Sequence, residues 1–317
     1  MAMQQRSKDL WRQLKKQRLL QCFALAGMAY LLVFSYLPMA GLVMAVSDYN
    51  IATGIPGMVA GPWVGLKHFL AFFNNYEFEM LLRNTVALSL LKLLFSFPIP
   101  IVFAIMLNEV RQQRFKRVVQ TLSYLPHFIS WVIVSGLALN FLSNDRGVIN
   151  LLLRSLRLID KPIPFLTSAQ MYWPLAVFLD VWKDMGWWTI IYLAAITGVD
   201  LTMYEAAEID GAGRFRKIWS ITLPSIRGTV TVVMILALGN LFGGGLSGSN
   251  FEQSYLLGNT MNYQASEVIQ THVFRYGLSK FRYSYATAVG LIQSFISLVL
   301  IFTSNWVASK VSESTLF

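Results

Sequence analysis

Residues 204–224 read YEAAEIDGAGRFRKIWSITLP, a short polar interruption between two long apolar stretches. Thr202, followed three residues later by Glu205, has the spacing of a capping box, in which two side chains satisfy orphan amides at a helix start. Ala206 and Ala207 extend that helix without loss of side-chain entropy. Asp210–Gly211 reads as its stop, because glycine tolerates the left-handed conformation that closes a helix. A second arm carries Phe215, Ile218 and Trp219 at i, i+3 and i+4, with Arg214, Arg216 and Lys217 between them. Pro224 suits the opening of the next helix, where its missing N–H is no loss. The stretch is therefore a helical hairpin with one basic arm, a pattern that also fits an amphipathic segment lying on a bilayer.

Outward from the hairpin the chain is apolar. Of its 317 residues 55% are hydrophobic and only 13% charged, against about 25% charged in a soluble domain. Six runs, 19–46, 84–108, 118–142, 173–198, 224–246 and 284–308, are long enough to cross ~30 Å of hydrocarbon. The fold class is all-α and integral to a membrane, with six transmembrane helices. The first run is too long for a cleaved signal peptide, and no small-residue cleavage site follows it.

Lysine and arginine set the orientation. With the N-terminus inside, the inner side carries 15 basic residues, grouped in 6–18, 111–117, 214–227 and at Lys310, while the longer outer loops carry nine. Both termini then face the cytoplasm, and so does the 204–224 hairpin. The net charge of +10 is accounted for by topology, and no soluble basic domain is present to hold nucleic acid. The single cysteine, Cys22, rules out an intrachain disulfide framework and a thiolate metal cluster, and reads as a small packing residue.

Three regions follow from this: 1–83, a basic lead-in, the first span and an outer loop; 84–308, a five-helix core; and 309–317, a tail. Residues 1–18, with Leu10, Trp11 and Leu14 on one side, are expected on anionic headgroups. The outer loop 47–83 is too long for a plain turn. It either covers a cavity mouth or meets an external partner, or it is an aromatic interface segment. Pro98, Pro100 and Pro126 fall within spans, where helices bend around a cavity. Lys92, ~12 Å in from the outer end of its span, either snorkels outward or faces a cavity. The loop 143–172 holds Arg146, Arg154, Arg157 and Lys161, which would attract an anion, or else forms a solvated interfacial helix.

Span four, FLDVWKDMGWWTIIYL, contains Asp180, Lys183 and Asp184. Intramembrane charge is costly and tends to face a cavity or a partner charge. Lys183 and Asp184 point about 100° apart, so Asp180 with Lys183 or Asp184 is the better-spaced pair. Asp184 shares a face with Trp187 and Trp188, and a carboxylate beside indole rings suits a sugar. The alternative is a structural ion pair with an aromatic belt. After Asn240 the run LFGGGLSGSNFEQ suggests a helix broken near the membrane, where Asn240, Glu252 and Gln253 are candidate polar contacts. A flexible outer turn is the plain alternative.

Glu205-Ala206-Ala207, then Gly211, then Ile221, Leu223 and Pro224 together resemble the EAA loop of binding-protein-dependent ABC importer permeases. FEQSYLL at 251–257 and NYQASEVIQTHVFRYGLSKFRYSYATAVGLIQS at 262–294 resemble the polysaccharide and oligosaccharide branch of that family, some of whose members import uronate saccharides such as alginate fragments. The two resemblances cover about residues 84–310. They imply a type I importer fold in a bacterial inner membrane, and a heterodimer with a second permease. They also imply two cytoplasmic ATPases carrying ATP and Mg, an external solute-binding protein and a carbohydrate substrate. The hairpin would be the coupling helix. Glu205 would meet a basic residue of the ATPase, Ala206, Ala207 and Ile209 would pack in its groove, Asp210 and Gly211 would form the turn, and Leu223 and Pro224 a rigid exit.

No G-x-x-x-x-G-K-[ST] loop occurs, so nucleotide phosphates have no Walker A cradle here. His68, His127 and His272 lie apart in sequence, which suggests no metal set, and no G-x-S-x-G nucleophile turn appears. The expectation is a transport subunit that is not an enzyme and binds no cofactor or metal. A stand-alone secondary transporter or channel is the rival.

Overall fold

The computed structural model describes residues 16–311. The lead-in residues Leu10, Trp11 and Leu14, and most of the tail, lie outside the described residues. The α-helices of seven residues or more are α1 (Arg18–Leu31), α2 (Gly54–Ala60), α3 (Lys67–Phe73), α4 (Phe78–Ser96), α5 (Pro98–Glu109), α6 (Gln113–Tyr124) and α7 (Trp131–Leu142). They continue with α8 (Val148–Ser155), α9 (Ala169–Thr197), α10 (Leu201–Ile209), α11 (Arg227–Gly239), α12 (Asn250–Leu257) and α13 (Tyr283–Val311). Among the described residues the only β pairing is an isolated Ser47–Trp63 bridge.

Three helical stretches are continuous and apolar enough to cross a bilayer: Arg18–Val46, Phe78–Glu109 and Tyr283–Lys310. Three others qualify only as bent pairs: α6 with α7, broken by 101°; α9 with α10, by 68°; and Arg214–Ser225 with α11, by 62°. The run 118–142 is thus two helices, not one straight span. Residues Leu125–Phe128 tighten into a 3₁₀ turn around buried Pro126, and Ser130 caps the new helix by accepting from the Ile133 amide at 3.4 Å. Pro98 and Pro100 leave Phe78–Glu109 without a break of that size, because Pro98 sits at the first turn of α5, where its N–H is not needed. The first span relaxes through a π segment, Leu32–Tyr36, just before Pro38.

The long α9 is the axis, about 43 Å at 1.5 Å per residue. It packs against α4 and α5 on one side and against the α6–α7 break on another. Gly186 makes the second contact possible: a Cβ there would stand 2.1 Å from the Ser123 carbonyl oxygen. One apolar cluster joins Leu88, Trp131, Val134 and Ala176 at one end of α9. A second joins Ala104, Tyr192, Ile196 and Val233 toward the other.

Residues 47–76 are not a separate lobe. Asp48 pairs with Lys67 at 2.6 Å and lies 2.9 Å from His68 Nε2, and the Tyr49 amide donates to Ser284 Oγ at 2.9 Å. The hydrogen bond from Lys67 holds the Asp48 carboxyl below its usual range. The segment packs on α13, and α4 already begins at Phe78, so a boundary at residue 83 falls inside a helix. By contrast α1 buries no residue, and Phe23 and Phe34 stand open. Cys22 is exposed on it and packs no core.

Candidate functional site

The 204–224 stretch forms the expected hairpin with different chemistry at its entrance. The cap is Asp200, whose Oδ1 accepts from the Thr202 amide at 2.9 Å; this places Thr202 inside the helix and removes the Thr202–Glu205 capping box. That hydrogen bond also lowers the Asp200 pKa. The exit of α10 is a Schellman motif. The Ala212 amide donates to Ala207 O at 2.8 Å and the Gly211 amide to Glu208 O at 3.0 Å, with Gly211 at φ +75°.

Pro224 does not open the next helix, which starts at Arg227. The return arm is helical from Arg214, passes through a π segment at Ile218–Thr222, and breaks at Ile226, two residues after the proline. Lys217 Nζ donates to Glu208 Oε1 at 2.6 Å, and Tyr204 OH lies 2.9 Å from Thr222 Oγ1, so the two arms are tied twice. The apolar side chains at the tip find no cover among the described residues. Ile209 is 89% exposed and Phe215 81%, while Glu205 and Ala206 are also exposed and Leu223 is half-buried.

A second polar assembly lies inside the helix bundle along α9. Asp180 pairs with neither Lys183 nor Asp184. Its partner is Lys92 of α4, 3.5 Å away, with both side chains fully buried. Ser96 donates to Asp180 Oδ2 at 2.7 Å, while Ser247 and Ser249 donate to Oδ1. Lys92 also donates to Ser249 at 2.6 Å, so it neither snorkels nor faces open space. The charge of each is matched by the other and by hydroxyls, which is the condition for burying an ion pair at tolerable cost.

Asp184 is held separately. His127 Nδ1 lies 2.7 Å from its Oδ1, and Lys183 donates to the His127 carbonyl at 2.8 Å and approaches Asp184 at 3.5 Å. The His127 ring stacks on Trp187, with centroids 4.4 Å apart and planes 5° from parallel. Trp187 remains 37% exposed, the open edge of this group. Trp188 belongs instead to the rim of the apolar cluster that holds Tyr192 and Ile196.

The glycine run after α11 supplies the serines that reach Asp180 and Lys92. The helix breaks at Asn240, and Gly244, Gly245 and Gly248 all have positive φ. A Cβ on Gly244 would stand 2.9 Å from Asn250 Oδ1 and 3.0 Å from the Ser249 amide, so only glycine fits. Asn240 Nδ2 donates to Gly245 O at 3.0 Å, and buried Gln253 donates to Ala176 O at 3.1 Å. These two side chains hold the loop, whereas Glu252 is exposed.

Lys92 and His127 are the members that local reading leaves out. Each lies tens of residues from its aspartate, and the one available signal was charge balance: two acids within α9 need two partners.

The structure is a bundle of apolar helices long enough to span a membrane, with a hairpin whose apolar tip is exposed, the architecture of a membrane protein with a surface left for a partner. The chain belongs to the binding-protein-dependent transport system inner membrane component family, whose model matches residues 96–313. Members of this family are permease components and not enzymes. The chain is 43% identical to protein LplB of Bacillus subtilis (strain 168), over 96% of this chain and 92% of that one. It is 42% identical to the polygalacturonan/rhamnogalacturonan transport system permease protein YteP of the same organism, over 99% and 94%. Among solved structures it is similar to a bacterial ABC transporter involved in import of the acidic polysaccharide alginate. The TM-score there is 0.86 at 37% identity, covering 96% of this chain and 99% of that one. That transporter in complex with an alginate pentasaccharide-bound periplasmic protein gives 0.85 at 36%, over 97% and 99%.

Proposed function

We propose that this chain forms half of the translocation path of an ATP-driven carbohydrate importer and takes oligosaccharides that include uronate units. It crosses the membrane six times with both termini in the cytoplasm, each bent pair counting as one crossing. A second permease completes the path and covers part of the open face of α1. A solute-binding protein delivers substrate outside, and two ATPases bind ATP and Mg inside.

The observation that carries this reading is the hairpin. A rigid, doubly tied knob with Ile209 and Phe215 exposed is a poor thing to leave in water and a good one to insert in a groove. Glu205, Ala206, Ala207 and Ile209 supply its contact face, Asp210 and Gly211 its turn, and Leu223 and Pro224 the stiff exit of the return arm toward α11. Closing of the ATPase pair on ATP pushes the knob, and α9 and α11 transmit the push because both continue directly from it. The His127–Trp187 stack with Asp184 offers an aromatic face and a carboxylate to sugar. The uronate preference draws on the relatives and on exposed Arg146, Arg154, Arg157 and Lys161 around α8.

In a Cys22→Ser background, Ile209→Cys should cross-link to the companion ATPase within the assembled importer, and the yield should change with ATP. Absence of any cross-link, with the complex intact, would remove the coupling role. Trp187→Ala should lower substrate-stimulated ATPase activity several-fold, and an unchanged response would remove that face from the path. Proton-coupled uptake by this chain alone would instead favour a secondary transporter.

A further inference from the structure

At the start of α9, about 40 Å along that helix from the hairpin, a cavity of about 630 Å³ opens among residues 254–279. Tyr172 and Trp173 of α9 fix its base, donating to Ser254 Oγ at 3.0 Å and to Ala265 O at 2.9 Å. Two surfaces of different chemistry meet in it.

One is aromatic. Tyr255 and Phe274 pack edge to face with centroids 5.1 Å apart, and Tyr255 is 55% exposed. The other is polar. Glu267 is 3% exposed; its Oε2 accepts from Arg275 at 2.6 Å, while its Oε1 has no donor among the described residues. A buried carboxylate oxygen without a donor is a costly thing to keep unless a ligand supplies one. Arg275 donates to Tyr263 OH at 3.2 Å and to Glu267, its side chain is 43% exposed, and a guanidinium has five N–H donors to share.

We propose that this cavity binds one uncharged sugar unit of the transported saccharide. The C–H face of the ring packs on Tyr255 and Phe274, one ring hydroxyl donates to Glu267, and another sugar oxygen accepts from Arg275. Charge supports a neutral ligand. Glu267 and Arg275 cancel at the wall, and Glu77 stands behind Tyr263, accepting from its hydroxyl at 2.7 Å. Among the residues lining the cavity, a uronate carboxylate would meet this balance with no surplus cation. The site rests on the carbohydrate reading above and narrows it: a mixed saccharide is gripped here by its neutral units.

The test uses the assembled importer in lipid nanodiscs, with galactotriose and trigalacturonate as probes in equilibrium binding. Wild type should bind galactotriose at least tenfold more tightly than trigalacturonate at this site. Tyr255→Ala and Glu267→Ala should each weaken galactotriose binding tenfold or more. Tyr255 is half in solvent, so its variant decides the matter if Glu267→Ala does not assemble. Binding within twofold of wild type in Tyr255→Ala overturns the proposal, as does a wild-type preference for trigalacturonate that Tyr255→Ala leaves in place. If wild type binds neither saccharide the pocket assignment falls. ATPase stimulation by a saccharide-loaded binding protein then says whether the importer reading stands without it.

Discussion

The hairpin at 200–225 and the charged seam along α9 are both polar breaks in apolar sequence, yet they are built in opposite ways. The hairpin is local. Its cap, its Schellman turn and its two ties all join residues within 18 positions of one another, and its apolar tip faces outward. The seam is non-local and sealed. Lys92 and Asp180 come from different helices, and hydroxyls from the glycine loop complete their shell. Inside a bilayer, apolar contact between helices has little advantage over contact with lipid, so polar contacts and close packing fix how helices meet. The seam therefore ties the helices of the bundle together, while the hairpin keeps its tip outside it, free to bind something else.

The sharpest way to break this distinction is Asp180→Ala. It strands a fully buried Lys92, and removing one partner of a buried pair costs about 3–5 kcal/mol. We expect loss of most folded protein by size-exclusion chromatography in detergent. The double change Lys92→Met with Asp180→Leu removes both charges and should recover much of the loss. If Asp180→Ala alone folds and transports normally, the pair is not what joins α4 to α9.

A second buried network, outside the spans, responds to pH. His272 is 1% exposed, between Tyr285 OH at 3.0 Å and Glu77 at 3.4 Å, and stacks on Tyr276. Burial is the main cause that pushes its pKa down to about 4, with Glu77 opposing and Arg275, Lys280 and Arg282 assisting. The unfolded segment, with an ordinary value near 6.5, binds more protons than the folded one between those limits. The stability from neutral His272 is thus complete above pH ~6.5 and is lost as pH falls toward 4, by at most about 3 kcal/mol. Glu267, whose pKa burial raises, acts in the opposite sense and offsets part of this. Hydrogen exchange over 263–285 should show weaker protection at pH 5 than at pH 7 once intrinsic rates are corrected, and His272→Gln should flatten the difference. Equal protection at both values would place His272 outside any coupled network.

The same contrast decides what could be read from the sequence. Gly211 as a left-handed stop and Ala206–Ala207 as helix were legible because their geometry is set by neighbours within a few residues. The Thr202–Glu205 spacing puts the cap two positions late: an aspartate at 200 competes for the same amides as Thr202, and only the backbone path decides between them. Asp180 in an apolar helix needs a partner, but Lys92, 88 positions earlier, cannot be chosen over Lys183 without knowing how α4 lies on α9. The 101° break at 125–130 was hidden because one proline in an apolar run fits a mild kink equally well. The close approach of Ser123 and Tyr124, just before that turn, to Gly186 on another helix is equally invisible in the local sequence. The glycine run after Asn240 was visible as a break, but not the serines in it that reach Asp180.

In the hairpin itself Gly211→Val should cost about 1–2 kcal/mol locally, since a β-branched residue resists φ +75° although nothing lies within 4 Å of the new Cβ. We expect transport to fall tenfold or more while basal ATPase activity and complex yield stay near wild type. Normal uptake would mean that the turn need not be rigid.

The smallest effect belongs to the tie between the two arms. Lys217 and Glu208 meet at 2.6 Å, with side-chain exposures of 18% and 66%, and the lysine holds the Glu208 carboxyl below its usual range. Exposed pairs of this kind contribute little to stability and are screened by salt. Lys217→Met keeps the aliphatic stem and removes the charge, so the hairpin should fold as before, held by its Schellman turn and by Tyr204 against Thr222. Transport should drop less than threefold, and raising ionic strength should shrink the difference from wild type. A loss as large as that of Gly211→Val, persisting at high salt, would show that the ammonium has a second task. The place to look would then be the ATPase surface, because inside this chain Glu208 is the one acid it meets among the described residues.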